Sequence, residues 1–204
     1  MFDARLRPLI DPPLNRVGNW IANAGLSANT LTWAGFGSGF LAFVSISMGA
    51  YWIGLGLVII NRLLDGLDGA VARATQKTDL GGYLDIVLDF FFYGLVPLGF
   101  AIADRDVNAL PAALLLFSFF ANGSTFLAFA IMAEKRGLST SAQGSKSLYY
   151  FGGLAEGAET IGLFVLICLW PSAFAVLAYI YAGLCIVSAS ARVAMATQAF
   201  KQQE

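Results

Sequence analysis

Four carboxylates lie within apolar runs of this sequence, in Asp65-Gly66-Leu67-Asp68-Gly69-Ala70-Val71-Ala72-Arg73 and in Gly81-Gly82-Tyr83-Leu84-Asp85-Ile86-Val87-Leu88-Asp89. An ionised Asp at bilayer depth costs about 2.5 to 3.5 kcal/mol on insertion scales, so four of them require a compensating positive partner. These two stretches therefore predict neighbouring membrane helices whose acidic residues share a divalent metal ion.

The composition places these helices in a membrane protein. Hydrophobic residues make up 58% and charged residues 12% of the 204 residues, and the mean hydropathy is +0.71. These values are typical of a polytopic membrane protein and exclude a water-soluble core. The chain has no histidine, and Cys168 and Cys185 lie in uncharged stretches without a CxxC spacing, which disfavours His-ligated zinc and disulfide scaffolding. A net charge of -1 gives no general attraction to nucleic acid.

The apolar runs predict an all-α fold, a bundle of six transmembrane helices. Each run is long enough to cross a bilayer, and the last two are separated by the turn sequence Trp170-Pro171-Ser172. Their spacing leaves little room for an extramembrane domain, so residues 29–204 form one domain. The predicted spans are about 29–49, 51–76, 79–103, 107–133, 149–170 and 173–198.

Residues 1–28 are predicted to form an interfacial amphipathic segment. Arg5, Arg7, Asp11 and the Pro12-Pro13 pair interrupt any signal-peptide core. Beyond them, apolar residues recur at helical spacing opposite a row of Asn and Arg, which suits a helix lying in the headgroup plane. The apolar positions are Leu14, Val17, Trp20, Ile21 and Ala24.

The distribution of basic residues predicts the orientation. With six spans, both termini lie on one side, and the cytoplasmic side collects Lys and Arg. Among the loops and termini, Arg105 alone falls on the opposite side. The side that carries both termini and the acidic residues is therefore predicted to be cytoplasmic, because it holds Arg5, Arg7, Arg16, Arg73, Lys77, Lys135, Arg136, Lys146 and Lys201.

Helical spacing brings the carboxylates together in pairs. Asp65 and Asp68 are related as i and i+3, and Asp85 and Asp89 as i and i+4. The short connection at 75–78 predicts that the two spans are antiparallel neighbours whose acidic faces converge near the cytoplasmic end. Four carboxylates and water suit Mg²⁺ or Mn²⁺, and their number favours two ions that bridge a diphosphate.

Small residues and one arginine surround the acids. Gly69, Ala72 and Gly81 allow a nucleotide to approach the helix backbone, and Arg73 offers a forked donor for a phosphate oxygen. Taken singly, a glycine in a membrane helix is more often a packing residue, and an arginine at a cytoplasmic helix end is more often an anchor. The joint pattern is far more specific than its parts.

That joint pattern, Asp65-x2-Asp68-Gly69-x2-Ala72-Arg73-x7-Gly81-x3-Asp85-x3-Asp89, resembles the signature of the CDP-alcohol phosphatidyltransferase family. The resemblance extends to the chain length, the six spans, the surface helix, and the sequence Asn29-Thr30-Leu31-Thr32 at the start of the first span. Members of the family usually have Pro before that Asn, whereas this chain has Ala28.

The resemblance implies a reaction and a set of roles. A substituted phosphoryl group passes from a CDP-linked donor, in phospholipid biosynthesis CDP-diacylglycerol, to an alcohol, and CMP is released. Residues 29–204 would then be the catalytic domain, in a bacterial-type inner membrane and as a homodimer. Metal would be held by Asp65, Asp68, Asp85 and Asp89, with Asp89 also the general base. The donor nucleotide would lie against Asn29, Thr32, Gly69, Ala72, Arg73, Thr78 and Gly81.

The acceptor is predicted less sharply. Lys146 and Arg192 are candidates to hold a phosphate on it, and two further acids, Glu156 and Glu159, lie in the fifth span. Intramembrane acids must face a wet cavity or a basic partner. They would repel a phosphorylated acceptor unless a basic residue offsets them, which favours a polyol or an amino alcohol over a polyol phosphate. The reverse arrangement, with a soluble CDP-linked alcohol and a diacylglycerol acceptor, stays open.

Two other classes of protein compete with this interpretation. A prenyl-diphosphate transferase also pairs acids with Mg²⁺ in a helical bundle, but its acidic motifs are normally far apart in sequence. A divalent-cation transporter also carries intramembrane acids. Against a transporter stand the positive charge of Arg73 beside the ion site and the absence of an internal sequence repeat.

Overall fold

The computed structural model describes residues 3–136 and 157–201, with side chains described from residue 10 onward. These ranges are almost entirely helical and contain no strand, which confirms the all-α prediction. Their α-helices are α1 (Asp3–Asn23), α2 (Ala28–Ser47), α3 (Tyr51–Ala74), α4 (Asp79–Ala103), α5 (Arg105–Lys135), α6 (Gly157–Leu169) and α7 (Phe174–Lys201).

Helices α2 to α7 correspond to the six predicted spans. A short 3-10 turn, Pro171–Ala173, separates α6 from α7 at the predicted break. The first part of the fifth predicted span, 149–156, lies outside the described residues. Within the described ranges, four helical stretches are long and apolar enough to cross a membrane, namely Ala28–Ser47, Asp79–Ala103, Arg105–Lys135 and Pro171–Lys201. The described part of α6 is a shorter apolar helix, and α3 carries the charges that define the site.

The six helices pack in a ring. Contacts run from α2 to α3, then to α6, α7, α5 and α4, and back to α2. The inside of the ring is a core rich in aromatic residues, in which Phe92, Phe100 and Phe164 are fully buried. Phe100 stacks on Phe174 with ring centroids 4.6 Å apart, and such pairs add to the free energy gained by burial.

The outer surface of the ring is apolar. Met48, Trp52 and Phe120 are each at least 72% exposed. A contiguous apolar exterior of this kind is disfavoured in water and suits lipid. The chain is therefore a polytopic membrane protein.

Helix α1 packs against the outside of α3. The approach is so close that a Cβ on Gly18 would lie 2.6 Å from the Ala70 Cβ. Ile21 is buried against the bundle, whereas Trp20 is 72% exposed. An exposed Trp beside a packed face suits the predicted position in the headgroup plane. The helix begins at Asp3, upstream of the Pro12-Pro13 pair.

The acidic faces of α3 and α4 converge as predicted, but they do so across a gap. Helices α3 and α4 are consecutive, but their backbones make few close contacts with each other. Helix α2 packs closely against both and holds them side by side across a gap. The physical reason is that each helix directs charged side chains into this gap, and apposed helix backbones would leave no room for them. The candidate site lies in this gap and is lined by residues of α2, α3 and α4.

Candidate active site

Three of the predicted carboxylates meet at the gap between α3 and α4. One oxygen from each of Asp65, Asp68 and Asp85 lies within 4.8 Å of the others. Asp68 is buried with 6% exposure, Asp65 is half-buried, and Asp85 is exposed. Together with Thr32, Gly35, Phe36, Asn61, Arg62, Leu88 and Asp89, they line a small cleft.

The acids lie near one end of the bundle. Asp68 is six residues before Ala74, the end of α3, which places it about 9 Å from that end along the helix. Asp89 is ten residues beyond Asp79, the start of α4, or about 15 Å along that helix. The cleft is thus deep enough to be shielded by the helices and shallow enough to be reached by a polar ligand from outside the bilayer.

Thr32 fixes the most buried acid. Its hydroxyl donates to Asp68 Oδ2 at 2.7 Å and also lies 3.1 Å from the Ala28 carbonyl oxygen, one turn earlier in α2. A short hydrogen bond to a carboxylate is a strong one. Sequence analysis predicted Thr32 as a nucleotide contact, and the described geometry gives it an orienting role toward Asp68.

Asp89 lies outside the three-acid group. Its Oδ1 accepts a hydrogen bond from Arg62 Nη2 at 2.7 Å, across the gap from α4 to α3. Arg62 Nη1 also lies 3.5 Å from Asp65 Oδ2. Sequence analysis missed Arg62 because it weighed the basic residues of loops and termini, although Arg62 precedes Asp65 by three residues and so shares its helix face.

Arg73 is held by the interfacial helix. Its Nε and Nη2 donate to Asn15 Oδ1 at 3.2 and 2.9 Å. The guanidinium folds back toward Gly69, where a Cβ would lie 3.3 Å from Nη1. Arg73 is exposed, and Ala72 beside it is half-buried. Sequence analysis placed a row of Asn and Arg on the polar face of this helix but did not predict this contact, which depends on how α1 packs on α3.

The remaining donor-side residues meet where α2 and α4 begin. Thr78 Oγ1 accepts from the Gly81 N–H at 3.0 Å and so caps α4. A Cβ on Gly81 would lie 3.1 Å from Thr78 Oγ1 and 3.2 Å from Asn29 Oδ1. A larger residue than glycine would therefore push these two side chains apart. Asn29, Thr78 and Gly81 form one small polar cluster at the mouth of the gap.

Two of the four acceptor candidates, Lys146 and Glu156, lie outside the described residues. Glu159 is half-buried in the first turn of α6. Arg192 is buried in α7 and donates to three oxygens of α5, namely the Asn122 carbonyl and Oδ1 and Thr125 Oγ1. Neither Glu159 nor Arg192 lines the acidic cleft.

The chemistry of the cleft suits a hard divalent cation. Its acidic donors are carboxylate oxygens on two helices, close enough together to surround one ion. Such an oxygen-only set matches Mg²⁺ or Mn²⁺ better than zinc or copper. The residues present therefore fit the predicted metal.

Comparison with known proteins agrees with this site. The profile of the CDP-alcohol phosphatidyltransferase family matches residues 26–198, which is most of the chain. The chain belongs to this family. Members are transferases of phosphate-containing groups in phospholipid biosynthesis, so this CDP-alcohol phosphatidyltransferase is an enzyme.

Several relatives resemble the chain. "Inner membrane protein YnjF" of Escherichia coli K12 is 47% identical over 193 residues, covering 95% of this chain and 94% of that protein. An archaetidylinositol phosphate synthase of Pyrococcus horikoshii is 36% identical over 87 residues, 42% of this chain and 46% of that protein. A phosphatidylcholine synthase of Rhizobium meliloti is 31% identical over 127 residues, 56% and 46% of the respective chains.

A solved structure shares the fold. The phosphatidylinositol phosphate synthase PgsA1 of Mycobacterium tuberculosis, solved with CDP-DAG bound, superposes with a TM-score of 0.68. It is 20% identical and covers 90% of this chain and 92% of its own. The architecture of this CDP-alcohol phosphatidyltransferase is thus that of a known structure, while its site residues and acceptor stay predictions.

Proposed function

We propose that this enzyme transfers a phosphatidyl group from CDP-diacylglycerol to the hydroxyl of a small alcohol and releases CMP. The observation that carries the proposal is the cleft in which Asp65, Asp68 and Asp85 converge while Asp89 stands beside them. A diphosphate needs concentrated positive charge to be held and cleaved, and this cleft can hold that charge as metal. The CDP-DAG bound to PgsA1 supports the choice of donor.

The proposed roles follow from position. Asp65, Asp68 and Asp85 would hold Mg²⁺ or Mn²⁺, with Asp89 able to join a second ion, and the metal would supply positive charge against the diphosphate. Arg73 binds a donor phosphate, and the cluster of Asn29, Thr78 and Gly81 borders the nucleotide. Asp89 accepts the proton of the acceptor hydroxyl as its oxygen bonds to the phosphorus that carries the lipid. The bond from that phosphorus to the bridging oxygen breaks, and the electron pair leaves with CMP.

The acceptor that we propose is a polyol, its phosphate, or an amino alcohol. The names of two relatives refer to an inositol phosphate product and to a choline product, which fall within these classes. Glu159 and Arg192 lie on α6 and α7, away from the acidic cleft. If they contact the acceptor, they do so from the opposite wall of the ring.

The proposal includes a cellular setting. The chain resembles a protein named as an inner membrane protein, and we propose the same membrane for it, with both termini and the cleft on the cytoplasmic side. The acyl chains of the donor would then stay in lipid while its head group enters the cleft. A homodimer, which the family resemblance implies, is part of the same proposal.

The experiment is an assay of CMP release by the purified protein in detergent. CDP-diacylglycerol would be offered with inositol, inositol phosphate, glycerol phosphate, serine or choline, each with and without Mg²⁺ or Mn²⁺. A second arm would offer diacylglycerol with soluble CDP-linked alcohols. Metal-dependent CMP release with one acceptor class supports the proposal. Metal flux into protein-containing vesicles without CMP release in either arm would instead show a transporter.

Arg73 provides a test of donor binding. Arg73→Ala removes a forked phosphate donor, so the KM for the CDP donor should rise about tenfold. Asn15→Ala leaves the arginine in place but releases it from α1, so the KM should rise only about threefold because one anchoring hydrogen bond is lost. Steady-state kinetics in detergent measure both effects.

The matched control for Asn15→Ala is Asn19→Ala, an exposed residue one turn further along the same helix. It should leave the KM unchanged. If neither Arg73→Ala nor Asn15→Ala changed the donor KM, Arg73 would not contact the donor phosphate and its bond to Asn15 would serve only to attach α1.

A further inference from the structure

Arg62 is a charged residue in the cleft that the proposed reaction does not use. Its guanidinium bridges the gap between α3 and α4, with Nη2 2.7 Å from Asp89 Oδ1 and Nη1 3.5 Å from Asp65 Oδ2. Its side chain is 17% exposed. Of the described residues that line the cleft, it alone carries a positive charge.

The position of this guanidinium is fixed on its other sides. Nε donates to Asn61 Oδ1 at 2.7 Å, and Asn61 Nδ2 donates in turn to the Gly35 carbonyl oxygen of α2 at 2.8 Å. The planar group lies over the Phe92 ring, with Cζ 4.6 Å from the ring centroid. Arginine is suited to such combined stacking and forked hydrogen bonding, and a lysine cannot reproduce it.

Arg62 contacts one member of the three-acid group, Asp65, and the fourth acid, Asp89. Asp65, Asp68 and Asp85 lie close enough to share an ion, and Asp89 lies outside their group with its Oδ1 bonded to Arg62. Carboxylates that share one cleft repel one another, and a positive charge beside them lowers that repulsion. Arg62 relieves part of that repulsion from the protein side.

We propose that Arg62 is a positioning residue that holds one oxygen of Asp89 and so leaves its second oxygen directed to the metal and to the acceptor hydroxyl. This inference rests on the proposed function, in which Asp89 takes the proton. Arg62 then has two opposite effects. It lowers the affinity of the cleft for metal before the donor binds, and it raises the rate of the transfer step. Loss of the charge alone accounts for tighter metal binding, so a fall in kcat at an unchanged donor KM is the result that distinguishes positioning.

The test compares Arg62→Gln with wild type in two measurements. The first is Mn²⁺ binding to the detergent-purified protein without nucleotide, followed by the electron paramagnetic resonance of the free ion. Loss of a positive charge beside the acids should make Mn²⁺ binding about tenfold tighter. The second is steady-state CMP release, in which kcat should fall about 100-fold because the proton acceptor is misplaced. The donor KM should stay within about threefold because the donor-side residues are untouched.

Two further variants keep the test decisive. Arg62→Lys retains the charge without the fork, so its Mn²⁺ affinity should match wild type while kcat falls about tenfold. If Arg62→Gln does not fold, Arg62→Lys still tests the expected fall in kcat. Arg105→Gln, at the exposed start of α5, is the control for loss of an arginine and should change neither measurement.

The outcomes distinguish this inference from the proposed function. Weaker or unchanged Mn²⁺ binding in Arg62→Gln, or a raised donor KM with unchanged kcat, would overturn the positioning role; the latter would make Arg62 a phosphate-binding residue. Wild-type protein that binds Mn²⁺ but releases no CMP with any donor would overturn the proposed function instead, whatever the variants show.

Discussion

Asp89→Asn is expected to lower kcat for CMP release by about 1000-fold, because an amide cannot accept the proton of the acceptor hydroxyl and general bases contribute rate factors of this order. The substitution keeps the size of the side chain. Its amide oxygen can still accept from Arg62 Nη2, which lies 2.7 Å from Asp89 Oδ1. The helices and the donor-binding residues should therefore keep their positions.

Two measurements separate chemistry from binding in this variant. Binding of a non-reactive CDP analogue should stay within about threefold of wild type, because the lost group acts in the transfer step. Asp79→Asn is the matched control, since it removes an exposed carboxylate from the first turn of the same helix, and it should retain activity. Near-normal turnover in Asp89→Asn would remove Asp89 from the role of base, and a lost nucleotide affinity would make it chiefly a metal ligand.

The membrane helices could be predicted from sequence because their signal is local. A run of apolar residues long enough to cross a bilayer needs no knowledge of its neighbours, and α4 begins and ends at the predicted residues 79 and 103. The pairing of Asp65 with Asp68 is equally local, since it depends only on the helical repeat. The approach of Asp85 to this pair was expected from the short connection between the two helices and not from spacing alone.

The relation between α3 and α4 could not be predicted in the same way. A short connection brings two helices near each other but does not say whether their backbones touch. Here α2 packs against both and leaves a gap that the charged pair of Arg62 and Asp89 crosses. Arg62 was missed for a related reason, because its partner Asp89 is 27 residues away and on another helix. The bond between Asn15 and Arg73 spans 58 residues and depends on the packing of α1.

The acceptor is the part of the function for which sequence reasoning was weakest. Its candidate residues are spread along the chain from residue 146 to residue 192, and the contact partners of Arg192 are 67 and 70 residues away. Polar residues at such separations have no periodic signature. Most of the residues of the proposed donor site, by contrast, lie on α3 and α4, where helical spacing predicts much of their arrangement.

Asp68→Asn should weaken Mn²⁺ binding at least about 100-fold, because it removes one of three carboxylate charges that would lie within a few ångströms of the ion. Asp68 is the most suitable of the three for this test. It is buried and oriented by the Thr32 hydroxyl at 2.7 Å, and an amide oxygen can accept the same hydrogen bond. The fold should thus be preserved while the charge is lost, and CMP release should fall with metal affinity.

The origin of the defect can be tested with metal concentration and with Thr32. If Asp68 acts through metal, raising Mn²⁺ should restore part of the activity of Asp68→Asn, whereas no metal concentration should restore Asp89→Asn. Thr32→Val leaves the charge but removes the orienting hydroxyl, so its Mn²⁺ affinity should fall about tenfold, as is usual for a group that orients a ligand. An Asp68→Asn protein that is folded and binds Mn²⁺ like wild type would contradict the metal site, because the three-acid group cannot hold the ion and be indifferent to its most buried member.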